Sequence, residues 1–183
     1  FHEAFKRDYP NVKYAVGNRG GIERGKPDHG YGMLWVDRDG DGAMQAAEIE
    51  FATAATNFAG AGWSNGSTTL TFRLPADVGG KKVLVTLKPD GFHPGGAPLY
   101  PALNDAVKAG VPIDLPGSNQ VESASDRFGN TILNSDPEMR AVSADGKLLW
   151  TYPNEWSNVH GSHKAPLPKP GQLQGSLFFS GIA

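Results

Sequence analysis

Residues 36–50 read VDRDGDGAMQAAEIE, and five of these fifteen side chains are carboxylates. Like charges packed this closely repel one another, so a folded chain needs something to hold them together. The spacing narrows what that is. Asp37, Asp39 and Asp41 take alternate positions, Gly42 follows, and Glu48 closes a twelve-residue stretch that begins at Asp37. In a tight loop, side chains at positions 1, 3 and 5 converge on one point. Glycine at position 6 permits the left-handed backbone that wraps the loop. Hard divalent cations such as Ca2+ collect roughly six to eight oxygens from such a set, with a two-oxygen carboxylate at position 12. The expected ligands are therefore Asp37, Asp39, Asp41, the Ala43 carbonyl, Gln45 directly or through water, and Glu48. Met44, at position 8, is expected to point into the core. Asp-Gly pairs also make ordinary hairpin turns, but a solvated turn has no need of this ordered series.

The stretch from Asp37 to Glu48 resembles the EF-hand calcium loop at every defining position. Its flank does not: YGMLWV (31–36) carries apolar and aromatic residues and predicts a strand rather than a helix. The resemblance is thus to EF-hand-like loops set in extracellular β-proteins, and it covers the loop alone. No second loop of this kind is present in the sequence. A structural clip is therefore expected rather than a sensor, with the ion neutralising the repulsion and ordering the turn.

Elsewhere the chain reads as strands and turns. Glycine (24) and proline (14) exceed a fifth of the 183 residues, which disfavours long helices. Strand patterns are expected in VKYAVG (12–17), STTLTFRLP (67–75), KKVLVTLKP (81–89) and TILN (131–134). Short helices are expected in FHEAFKRDYP (1–10) and PALNDAVKAGV (101–111), while QAAEIEFATAA (45–55) fits helix or strand. PGSNQVESASDRFGN (116–130) reads as a polar connection. AVSADGKLLWTY (141–152) predicts a hairpin turning at Asp145-Gly146, and KKVLVTLKPDGF (81–92) a second one. The strand–Asp/Gly turn–Lys–Trp run of the first is similar to the repeat of quinoprotein-like (PQQ-like) β-propellers. That resemblance implies a blade-like hairpin at 138–152 with Trp150 packed between neighbouring blades. The expectation is one all-β domain over 1–183, propeller-like and partial or completed by further chain, with the calcium loop at 37–48 and one or two short helices. A β-sandwich is the alternative.

The remaining composition excludes several roles. Lys+Arg 17 against Asp+Glu 19 gives a net charge of −2 with no basic run, so nucleic acid is not an expected partner. The absence of cysteine removes disulfides, thiolate nucleophiles and iron–sulfur ligation. No run is long and apolar enough for a membrane helix. The chain begins at Phe1 and ends on GSLFFSGIA, from which a trimmed, mature piece of a longer extracellular or periplasmic protein is expected. Trp63 (GWSNGS) and Trp156 (NEWSN) stand in polar contexts suited to stacking on carbohydrate, whereas Trp35 and Trp150 are expected in the core. His160 and His163 (VHGSHK), with His93 (GFHPGG), are candidate ligand-binding or metal-binding groups on loops. Three roles follow in order: a calcium-stabilised scaffold or recognition module for carbohydrate or another chain; part of a secreted calcium-dependent polysaccharide-degrading hydrolase or lyase; and a redox propeller with quinone or copper.

Overall fold

A computed structural model describes residues 7, 14–15, 21–22, 29–58, 69–115, 122–135, 137–153, 167 and 169–171. The strands are β1 (Tyr14–Ala15), β2 (Gly21–Ile22), β3 (His29–Trp35), β4 (Ile49–Thr53), β5 (Thr56–Phe58), β6 (Phe72–Val78) and β7 (Lys81–Leu87), then β8 (Gly91–Phe92), β9 (Pro98–Leu99), β10 (Val111–Pro112), β11 (Glu122–Ser125), β12 (Thr131–Asn134), β13 (Glu138–Val142) and β14 (Leu148–Pro153). One α-helix, α1 (Leu103–Lys108), and a 3-10 turn at Ala46–Glu48 complete the described elements. The protein is mostly β, as the turn-rich composition requires.

Six strands form the larger sheet in the order β10-β7-β6-β5-β3-β4, and four form a meander in the order β11-β12-β13-β14. The pairs β1-β2 and β8-β9 are separate two-stranded ribbons. Pairing is antiparallel except where β3 meets β5, at Tyr31 and Asn57. Alternation along β7 explains how the layers join. Val85 and Leu87 belong with Ala52, Phe58 and Ala76 to a core that takes in Leu103, Ala106 and Val107 of α1. Leu84, pointing the other way, packs with Ile113, Leu115, Leu133 and Val142, joining the larger sheet to the meander. Truncating a side chain as buried as Leu84 or Leu133 costs about 2–5 kcal/mol in such settings.

Helix α1 is six residues long and too short to stand alone. The Glu50 carboxylate of β4 accepts from the Leu103 and Asn104 backbone N–H groups at 2.6 and 3.0 Å, satisfying its open end. Asn104 in turn donates its side-chain amide to Glu50 at 2.7 Å and to the Phe51 carbonyl at 2.9 Å.

Several expectations change on this framework. QAAEIEFATAA resolves into the 3-10 turn followed by β4. KKVLVTLKPDGF is not one hairpin, because β7 pairs with β6 and β8 pairs with β9. The polar connection at 116–130 contains β11, whose Ser123 is buried and donates to the Arg73 carbonyl of β6 at 3.0 Å. Trp35 and Trp150 are not core residues, being 36% and 43% exposed. Trp150 lies on β14, where all six residues are exposed, Leu148 and Leu149 among them. The expected hairpin at 138–152 is present as β13 and β14, with Leu149 as an extra residue between the pairs Ala141–Trp150 and Val142–Leu148.

Candidate metal centre

The acidic stretch is the connection between β3 and β4, neighbouring antiparallel strands that pair Trp35 with Ile49 and Leu34 with Glu50. The loop therefore stands on a closed strand pair. The Val36 N–H donates to the Glu48 carbonyl at 3.1 Å, and Val36 is buried at 3% exposure. Flanked by a strand on each side, the loop departs from a helix–loop–helix unit, as the flanking sequence requires.

Inside the loop each carboxylate turns the backbone about itself. Asp37 accepts from the Gly40 N–H at 2.7 Å and the Gly42 N–H at 3.0 Å. Asp39 accepts from the Asp41 N–H at 3.2 Å, and Asp41 from the Ala43 N–H at 2.7 Å. Such side-chain caps suit Asp at turn positions. Gly40 and Gly42 adopt φ of +75° and +72°, the left-handed backbone that the pattern demands at Gly42.

Glu48 comes back into the loop from the 3-10 turn and is buried at 8% exposure. Its Oε1 accepts from the Arg38 N–H at 2.6 Å and, more distantly, the Asp39 N–H at 3.4 Å. Its Oε2 accepts from the Trp35 indole N–H at 3.0 Å and the Gln45 N–H at 3.5 Å. The indole bond, outweighing the opposing effect of burial, and the backbone donors hold the Glu48 carboxyl below its ordinary range, so it is ionised near neutrality.

Asp37, Asp39 and Glu48 each bring a carboxylate oxygen within 4.8 Å of the others, close enough to share one metal ion. Asp41 turns its Oδ2 to the Gln45 side-chain amide, which donates at 2.7 Å, and that amide lies 3.5 Å from Asp39 Oδ2. The Gln45 Oε1 is buried without a hydrogen-bond partner. An orphaned buried acceptor at position 9 fits a cation-binding loop, because it offers one more oxygen to a cation. The donor set is all oxygen, which suits hard cations rather than zinc or copper.

His93, from the loop between β8 and β9, lies against this site. A Cβ on Gly40 would sit 2.2 Å from the His93 ring. The ring accepts the Gly95 N–H at Nδ1, 3.1 Å away. His93 is thus placed at the acidic loop, more than fifty residues away in sequence, and no sequence signal announced that contact. The Trp35–Glu48 bond was equally unforeseen, although position −2 relative to Asp37 put the indole within reach. Trp63, Trp156, His160 and His163 lie outside the described residues. No family model, curated protein or solved structure matches the chain.

Proposed function

We propose that residues 37–48 are a structural calcium clip in an extracellular or periplasmic β-rich scaffold or recognition domain. The observation that carries this reading is the meeting of Asp37, Asp39 and Glu48 oxygens within 4.8 Å, at positions 1, 3 and 12 of the twelve-residue spacing. Asp41, the Ala43 carbonyl and Gln45, whose Oε1 has no hydrogen-bond partner, complete the proposed ligand set. The ion lies at the base of a strand pair, where it offsets the repulsion among the carboxylates and pins β3 to β4.

The domain is read as propeller-type, completed by further chain. The sequential meander β11-β12-β13-β14 supports this, since four antiparallel strands are the content of one blade. So does β14, whose exposed Leu148, Leu149, Trp150 and Tyr152 are suited to contact with another sheet. Carbohydrate is the proposed ligand class, with Trp63 and Trp156 as the stacking residues.

Thermal unfolding with and without EDTA tests the clip. At calcium about 100 times its Kd, binding adds about 2.7 kcal/mol. For a domain of this size that raises Tm by about 5–10 °C. Calcium should restore what EDTA removes, and magnesium should restore less. Identical melting curves with EDTA and with calcium, together with a silent Asp37→Ala, would sink the proposal.

A further inference from the structure

Calcium closure through Glu48 requires its carboxylate to face the ion with both oxygens. A carboxylate has roughly four lone-pair directions. Two of those on Glu48 are taken by short bonds, one to each oxygen: Trp35 Nε1 at 3.0 Å and Arg38 N at 2.6 Å. The bonds from Asp39 N and Gln45 N, at 3.4 and 3.5 Å, are beyond the ordinary N–H···O range and hold it weakly. Two short bonds on opposite oxygens fix the plane of the group. They leave one direction on each oxygen for the site shared with Asp37 and Asp39.

The Arg38 donor is backbone and moves with the loop. Trp35 differs: it belongs to β3, pairs with Ile49 beside Glu48, and is the one described side chain that donates to Glu48. Its indole is a fixed donor attached to the sheet rather than to the loop.

We infer that Trp35 is a positioning residue of the calcium site, holding Glu48 for two-oxygen ligation and sensing the ion through its indole N–H. The inference rests on the calcium reading. Partners that orient metal ligands from behind commonly change affinity by about 10–100-fold when removed. Trp35→Phe keeps the ring and deletes the donor, so it should weaken calcium binding about tenfold.

The test uses the full chain, with calcium binding measured calorimetrically for wild type, Trp35→Phe and Asp37→Ala. In parallel, the indole N–H resonance absent from the Trp35→Phe spectrum is followed in wild type as calcium is added. The expected result is weaker binding by Trp35→Phe and a shift of that resonance with the same midpoint as binding. A wild type that binds no calcium defeats the calcium reading, and the inference falls with it. A wild type that binds, with equal affinity in Trp35→Phe and an unmoved resonance, overturns this inference alone. Should Trp35→Phe fail to fold, Trp35→Tyr supplies the missing resonance by difference, and its wild-type response to calcium decides.

Discussion

Two of the connections that carry Asp-Gly in this protein, 143–147 and 37–48, solve opposite problems. At Ser143–Lys147, Asp145 accepts from the Ser143 hydroxyl and pairs with Lys147 at 2.7 Å, so the turn carries its own counter-charge. The turn between β6 and β7 does the same, with Lys82 3.0 Å from Asp77. The loop at 37–48 has the same local chemistry, carboxylates capping backbone N–H groups, yet none of its four carboxylates pairs with a described cation. One dipeptide therefore serves either a self-contained turn or a loop whose clustered carboxylates could hold an ion. The difference lies in the neighbours, Lys two residues after Asp145 in one case and further Asp residues in the other.

Glycine substitutions break this comparison most sharply. At Gly146, with φ +81°, an added Cβ would meet the Pro112 carbonyl at 2.4 Å, and backbone cannot yield. Gly146→Ala should cost about 3 kcal/mol or more. At Gly40 the obstacle is the His93 ring, a side chain that can turn away, so Gly40→Ala should cost about 2 kcal/mol. Gly42 has open space around it and pays for its φ alone, about 1 kcal/mol. Urea unfolding of the three variants checks the order, and a Gly42→Ala as damaging as Gly146→Ala would contradict the geometry.

Charge removal sharpens the contrast. In EDTA, Asp37→Asn should change stability little, because relief of repulsion is offset by losing one of the two N–H caps that Asp37 accepts, while Asp145→Asn should lower it by stranding Lys147. With calcium present, Asp37→Asn becomes the damaging change. Raising salt should shrink the metal-free effect of Asp145→Asn, which urea midpoints at low and high ionic strength would report.

Acid gives the smallest effect. Asp145 is pulled from 3.8 to about 2, first by its bond to Lys147 and then by that to Ser143. Its folded pKa is depressed, so the stability it contributes is present above about 3.8 and lost as pH falls toward about 2. Glu48, also lowered, acts in the same direction below its ordinary value of 4.5. In EDTA, Asp145→Asn should flatten that acid limb in a pH series of melting temperatures. An unchanged limb would mean the Lys147 pair does not persist in solution.

How much of this was legible in sequence depended on the range of the interaction. Strand patterns placed β6, β7 and β12, and the Asp-Gly turn signal placed the β13–β14 hairpin, because both follow local rules. The cluster of Asp37, Asp39 and Glu48 was legible because its members lie within twelve residues. β11 was hidden, since Glu122, Ser123 and Ser125 look like a polar linker and Ser123 is tolerated inside only through the Arg73 carbonyl. Trp35 misled because an aromatic residue in a strand suggests core, whereas this one spends its N–H on Glu48. The contact of His93 with Gly40 depends on where the β8–β9 ribbon lands, which local composition does not encode.

The clasp between Glu50 and Asn104 has a kinetic consequence. It joins groups 54 positions apart in the chain, whereas the meander β11-β12-β13-β14 is built from neighbours in sequence. Closing so long a segment forfeits chain entropy before any bond rewards it. The meander can therefore zip up early, while the larger sheet must wait for α1 to arrive and be capped. Glu50→Gln should accordingly slow refolding more than an equally destabilising change in the meander, which stopped-flow refolding of the two variants would measure.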